Sequence, residues 1–456
     1  MKRILTVLLA VLMLFPLACQ PTPEEDIVFN RGDTDVDTIV AASPLPENDI
    51  SQSDDPVLIQ GVEGQNPVFP TRYENEIVND STSLIIDAEV ITNGLTSYPV
   101  YEAKRGTFDA EQVRAVASEI ITDIVGYRDG TGFVKSDYPM LLEKAAIWGN
   151  EEILQGLSQQ MQEAEDVKYE ETAELRIDNS PKDQAYLRSD GHISEISISS
   201  ERLIISRIFS GDIIQEEFAE DIDIIEGREP IPVAPEITRE EAETVLTGFL
   251  ERVGMEGYTA YHTEPARYQS YATSEELSMG WYFKLVKTFE YYPISGEGKD
   301  GENGGFLQSR DEEKLYFAPW APELVEVYID GEGVAYFRHF SPMEVTRKVN
   351  ENVQLTDFDT VTKSAMNLFS ATLAWYQREY EKDKVGMAYY AKIEKIILTL
   401  TLQQAKDRQD VAYLLPTWVF FVDIHSKPEL GFDDTYQEAY GFSAIDGSRV
   451  TLDKWG

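Results

Sequence analysis

Cys19 is the only cysteine in this chain of 456 residues, so no disulfide can staple a fold built from it. Each folded part must be held by an apolar core that stands alone, and at roughly 150 residues per domain the length admits about three such parts. The composition allows this: 42% of the residues are hydrophobic and 11% aromatic, too many for a disordered acidic chain. The 39 Lys and Arg stand against 82 Asp and Glu, a formal charge of -43. Such a field repels phosphate backbones, because nucleic-acid binding depends on cations that displace condensed counterions. No nucleic-acid partner is expected.

Met1-Lys2-Arg3 precede an apolar run from Ile4 to Ala18, interrupted by Thr6 and Pro16. This order of basic, apolar and small residues reads as a signal peptide over residues 1–18. As a helix the run spans about 22 Å, short of the roughly 30 Å hydrocarbon core. Phe15-Pro16-Leu17-Ala18-Cys19 resembles the lipobox of bacterial lipoproteins, with Ala18 at the small position. The resemblance implies that Cys19 is diacylated and becomes the mature N-terminus, which would leave the body lipid-anchored on the extracytoplasmic face of the cell membrane. Two acyl chains hold a protein where one does not, and anionic headgroups would repel this body, so the anchor has to do the holding.

Residues 19–80 are rich in Pro, Asp, Glu, Ser and Asn without a sustained period, and read as an acidic disordered tether. Two short patterns inside it are set aside. Arg31-Gly32-Asp33 reads as a polar turn. Asp33-Thr34-Asp35-Val36-Asp37 starts like a calcium loop but offers Thr38 and Pro44 where the loop needs Gly and Glu.

The body divides by pattern into three. Residues 81–230 read as an N-terminal α+β module: strands at Leu84–Val90 and Tyr98–Glu102, then a helix opened by Phe108-Asp109 whose apolar face runs through Ala115, Val116, Ile120, Ile121 and Ile124. A second helical region covers Tyr138–Asp166, followed by strands at Tyr169–Ile177, Ile193–Ser199 and Arg202–Phe209. Ile231-Pro232-Val233-Ala234-Pro235 breaks any continuing element.

The rest reads as one unit written twice, over residues 235–343 and 350–456. The first copy opens on Thr238-Arg239-Glu240-Glu241, a capping box, and the second on Thr356-Asp357-Phe358-Asp359. Each then carries an apolar-faced helix, a strand, a strand led by Trp281 or Trp418, and a strand ending at Ile329-Asp330-Gly331 or Ile445-Asp446-Gly447. Asp330 and Asp446 are expected to make turns, and both tryptophans to lie in the core. The Gly- and acid-rich stretch Ser295–Lys314 is an insertion of the first copy. The fold class expected is α+β: a β-rich N-terminal module followed by two tandem units of a helix and an antiparallel sheet.

Catalytic constellations do not emerge from the sequence. His192, His262, His339 and His425 lie far apart without a second histidine at helical spacing, and His262-Thr263-Glu264 lacks the cysteines that a zinc deaminase adds. Gly296-Glu297-Gly298-Lys299-Asp300-Gly301 fits GxGxxG in form, but no helix start follows to meet a pyrophosphate. No GxSxG elbow or P-loop is present. The expectation is a non-catalytic protein with no cofactor, no catalytic or metal-ligating residue, Cys19 as the lipidation site and the ligand-binding residues unknown. Two other classes stay open: a cell-wall carbohydrate hydrolase using two carboxylates about 5–9.5 Å apart, and a solute-binding lipoprotein closing two lobes on a cleft.

Ile86-Asp87-Ala88-Glu89-Val90, Tyr98-Pro99-Val100-Tyr101-Glu102 and Phe108-Asp109 together resemble the start of a clostridial, Gram-positive family of large acidic lipoproteins of unknown function. The C-terminal pair, above all Leu415-Pro416-Thr417-Trp418-Val419-Phe420 followed by Ala444-Ile445-Asp446-Gly447, resembles PepSY modules and the related extracytoplasmic regulators of the YycH and YycI kind. The resemblance implies a binding or regulatory module of the cell envelope, with the ectodomain of a membrane sensor kinase or a protease as partner. Those regulators keep an uncleaved membrane helix, whereas this chain carries Cys19.

Overall fold

The computed structural model describes residues 68–78, 82–92, 97–130, 132–148, 151–177, 182–199, 202–209, 211–215, 232–270, 276–289, 292–293, 307–308, 315–316, 323–383, 387–405, 408–428 and 434–450. The signal peptide, Cys19, the Arg31-Gly32-Asp33 and Asp33–Asp37 patterns and Gly296–Gly301 lie outside them. In chain order the elements begin with β1 (Arg72–Val78), β2 (Thr82–Ile91), β3 (Val100–Arg105), α1 (Ala110–Ile120), β4 (Ile124–Asp129), α2 (Tyr138–Trp148) and α3 (Glu151–Glu163). Next come β5 (Glu170–Glu171), β6 (Asp183–Arg188), β7 (Ile193–Ile198), β8 (Arg202–Ser206), β9 (Gly211–Gln215), α4 (Arg239–Arg252), β10 (Tyr258–Ser270) and β11 (Glu276–Phe289). The short β12 (Tyr292–Pro293), β13 (Leu307–Gln308) and β14 (Leu315–Tyr316) precede β15 (Leu324–Asp330), β16 (Gly333–Phe340) and β17 (Met343–Asn350). The chain closes with α5 (Phe358–Asp383), β18 (Met387–Ala405), β19 (Arg408–Pro428), β20 (Asp434–Ser443) and β21 (Arg449–Val450). The class is α+β, dominated by strands.

Two compact units result. One takes Met1–Tyr98, Glu351–Leu398 and Pro416–Thr451; the other takes Pro99–Asn350, Thr399–Leu415 and Leu452–Gly456. In sequence, the second interrupts the first.

In the first unit the sheet order is β1-β2-β18-β19-β20-β21, mixed because β2 and β18 are parallel. Leu84, Ile86, Ala88 and Val90 alternate into its core, and α5 lays Val361, Ala365, Leu368, Phe369 and Leu373 against it. Trp418 is fully buried, with the rings of Phe69 and Phe358 edge-on at 5.0 and 4.9 Å. Its Nε1 has no hydrogen-bond partner among the described residues. The helix start is pinned by Asp357, whose Oδ1 accepts from the Thr360 amide at 2.9 Å, and the Thr356 amide donates to Ala444 O at 2.9 Å. Hydrogen bonding from Thr360 holds the Asp357 carboxyl below the usual aspartate range.

In the second unit one long antiparallel sheet runs β5-β4-β6-β7-β8-β16-β15-β11-β10-β9. Helices α1 and α4 cover one face, packing Val113, Val116, Ile120, Leu246 and Phe249 onto Phe283, Val325, Val327 and Phe337. Helix α4 carries the expected capping box: Thr238 Oγ1 accepts from the Glu241 amide at 3.2 Å and Glu241 Oε2 from the Thr238 amide at 2.9 Å. Thr238→Ala is expected to cost about 1 kcal/mol, read as a lower denaturant midpoint with an unchanged slope. Asp109, at the expected helix start, caps α1, its side chain accepting from the Glu111 and Gln112 amides.

Several expectations are corrected. The residues read as tether end in strand β1, paired with β2 from Arg72↔Glu89 to Val78↔Ser83. Helix α1 stops at Ile120, and Ile124 opens β4 instead of extending the helical face, because Asp123 turns the chain with φ 57°. The single helical region over 138–166 is two helices flanking Gly149-Asn150, a breaker pair. Of Tyr169–Ile177 only Glu170–Glu171 forms a ladder, against Gly126 and Tyr127. The break at 231–235 separates stretches of chain and not sheets, since β8 pairs directly with β16, Ile204 against Arg338. Trp281 and Trp418 sit mid-strand and do not lead their strands.

The tight approach of β11 to β15 depends on Gly280. A Cβ there would collide with the Ile329 carbonyl and meet the Tyr328 hydroxyl at 3.0 Å. Gly280→Ala is expected to cost about 3 kcal/mol, the upper end of overpacking, seen as a lowered midpoint in urea unfolding.

Candidate functional site

Side-chain alternation along β15 builds the site. Val325, Val327 and Ile329 enter the helix-covered core, so Glu326, Tyr328 and Asp330 emerge on the opposite face. Cross-strand register aligns Lys284, Glu326 and Arg338 in one row and Tyr282, Tyr328 and Tyr336 in the next. Among these, Glu326 is only 1% exposed, with Tyr282 Oη donating to one oxygen and Arg338 Nε to the other. Arg338 also lies over the Phe340 ring at 4.6 Å. Burial, then the Glu326 charge, push the Tyr282 phenol well above its usual range, so it stays a donor at every ordinary pH.

One turn further along, Asp330 accepts from Arg207, from Ser278 Oγ at 2.7 Å and from the Glu332 amide at 2.9 Å. It makes the turn the sequence foretold and anchors the half-buried guanidinium of Arg207 as well. Asp446 accepts from the Ser448 amide at 3.0 Å, and Gly447 follows at φ 76°. Trp281 is half-buried, donating from Nε1 to Ile237 O at 2.9 Å, just ahead of α4.

At the end of the sheet lies a second cluster. Glu323 Oε1 accepts from Tyr258 Oη at 2.6 Å and from His339 Nε2 at 2.9 Å, while Lys287 Nζ stands 3.7 Å from Oε2. Burial alone would raise the Glu323 carboxyl; the His339 hydrogen bond and charge, Lys287 and Tyr258 outweigh it and hold it below the usual glutamate range. A depressed carboxyl contributes stability above its unfolded value, and that contribution is lost as pH falls through the folded one. Stability measured by denaturant titration is therefore expected to decline below about pH 4.3, the ordinary glutamate value, and Glu323→Gln is expected to flatten that decline. An equal decline in the variant would refute the assignment.

Of the other histidines, His262 Nε2 lies 2.7 Å from Glu264 Oε1, His192 Nδ1 sits 3.4 Å from Asp190 Oδ1, and the His425 side chain lies outside the described residues. No contact joins His192, His262 and His339 to one another, and no group of three His, Cys, Asp or Glu suited to a metal ion occurs among the described residues. A pocket among Phe133, Met140, Leu141, Lys144, Ile193 and Phe209 has about 20 Å³ of free volume, room for one water.

Sequence reasoning passed over Glu323, Glu326, Arg338, Lys287 and Arg207. The signal was present for one of them: Glu326 interrupts Leu324-Val325-Glu326-Val327-Tyr328-Ile329, and a carboxylate inside a strand buried on both faces must have a partner. The identity of that partner, set by register, was not legible.

No family model matches the chain, and no curated protein matches it. The fold is similar to the crystal structure of an uncharacterised protein from Eubacterium rectale, with a TM-score of 0.50 and 10% sequence identity over 84% of this chain and 94% of that one. At that identity the likeness shows a shared fold and nothing of function.

Proposed function

We propose that the chain is an extracytoplasmic lipoprotein, anchored through Cys19, whose PepSY-like units form a non-catalytic binding or regulatory module of the cell envelope. The observation that carries the modular part is the plan repeated after each C-terminal helix. Helix α4 is followed by β10, β11, β15 and β16, neighbours in sheet order; α5 is followed by β18, β19, β20 and β21, likewise neighbours. In both, the start of the helix meets the tryptophan strand: Ile237 O, two residues ahead of α4, receives Trp281, and Phe358, the first residue of α5, packs on Trp418. The described carboxylates of the polar face are already engaged by Tyr, Arg and Ser donors, which suits a rigid platform for recognition. Attachment rests on the sequence around Cys19. It is tested by feeding cells an alkyne fatty acid: label is expected on the wild-type protein in the membrane fraction and lost in Cys19→Ser. Equal labelling of both would remove the anchor from the proposal.

A further inference from the structure

Ser341, with φ 47°, is one of two non-glycine residues at positive φ among the described residues. It sits at the corner where the chain leaves β16, in the long sheet, for β17, which pairs with β3. A side chain in the left-handed region is strained, so the surroundings must hold it there. Two hydrogen bonds do so. The Gly106 amide donates to Pro342 O at 2.6 Å, and Lys287 Nζ donates to Met343 O at 3.1 Å. A Cβ at Gly106 would meet the Pro342 carbonyl carbon and oxygen at 3.0 and 3.1 Å, so the approach needs glycine.

Lys287 joins this corner to the Glu323 cluster. The titratable groups facing Glu323 are Tyr258 from β10, Lys287 from β11 and His339 from β16. The neutral ring of Phe108, between β3 and α1, packs edge-on to His339 at 5.3 Å. Meanwhile the β3–β17 ladder has bonds of its own, from Met343↔Arg105 to Asn350↔Val100, with Arg347 Nη2 paired to Glu102 Oε2 at 3.0 Å. On its other edge β3 pairs with β19, from Tyr101↔Leu414 to Lys104↔Val411, so the ladder would move together with that strand.

We infer that Lys287 is a latch: held between the Glu323 carboxylate and the Met343 carbonyl, it keeps the strained Ser341 corner closed, and its release lets the β3–β17 ladder part from the end of the long sheet. The Lys287 side chain is 28% exposed, so solvent reaches the latch. Release breaks one charge-assisted hydrogen bond and one ion pair while relieving the strain at Ser341, a balance that makes the open form a minor state of the folded protein.

The test is a spin-label distance measurement on the full chain carrying Cys19→Ser, which removes the native thiol. Labels go on Glu344→Cys of β17 and Glu332→Cys of the β15–β16 turn, with Lys287 intact or replaced. Lys287→Met is expected to raise the longer-distance population at least ten-fold, Lys287→Arg to leave the wild-type distribution, and Ser341→Gly in the Lys287→Met background to restore much of the short distance. An unchanged single distance in Lys287→Met overturns the latch. So does a long-distance population that Ser341→Gly fails to reduce, since that would make Lys287 a general stabiliser. Should Lys287→Met not fold, Lys287→Gln, which keeps a donor and loses the charge, is read by the same two outcomes.

Discussion

Glu326→Ala is expected to destabilise the unit that contains it by about 3–5 kcal/mol, the cost of leaving a buried charge without its partner. The residue is 1% exposed and is the acceptor for both Tyr282 and Arg338. Its loss strands a guanidinium whose own pKa burial lowers and the surrounding phenols and carboxylate raise, with a net rise. Because the loss arises from the orphaned partner and not from the pair as such, the double replacement Glu326→Leu with Arg338→Met should recover most of the stability. Urea unfolding of the two variants separates these. A double variant as weak as the single one would mean that the pair itself, and not the unpaired cation, carries the energy.

Trp418→Ala should cost a similar amount in the other unit, about 3–5 kcal/mol, as a large buried ring is replaced by a cavity. Phe69 and Phe358 pack on it edge-on and Phe442 of β20 is its cross-strand partner, and a rigid sheet cannot collapse to fill the space. Trp418→Phe should be milder. It keeps an aromatic ring against Phe358 and removes an Nε1 that finds no partner among the described residues, so part of the packing loss is offset by a relieved polar burial. Thermal unfolding followed by calorimetry would show the order wild type, Phe, Ala. A phenylalanine variant as weak as alanine would mean that ring size and not the aromatic contact controls the site.

How much of this was readable beforehand depended on the range of the interactions. The Thr238 capping box and the helix start at Phe108-Asp109 are set within a few residues and were legible, as were the α+β class and the period-2 burial of β2. The two compact units were not, because β2 and β18 are parallel neighbours separated in sequence by Pro99–Asn350, the largest stretch of the second unit. Pattern reading favours contiguous modules, and nothing local in Leu84–Val90 says that its partner begins near Tyr389. Likewise, no strand was expected after the Ile329-Asp330-Gly331 turn, although Val334, Ala335 and Phe337 of β16 are buried. The polar site failed for a related reason. Glu326 was visible as a charge in an apolar run, but Arg338 becomes its partner only through the β15–β16 register, which a bulge near Tyr328 and Ile329 shifts.

The proposed role is that of a tethered module acting through a partner outside the membrane. Crosslinking of the protein in intact cells, with mass spectrometry of what is captured and Cys19→Ser as the control, tests it most directly. The account predicts reproducible capture of a sensor-kinase ectodomain or a protease by the wild type and its loss from the control. Capture of the same proteins by both would contradict the role of the anchor, and capture of no protein above the control would contradict the account of a protein-binding module.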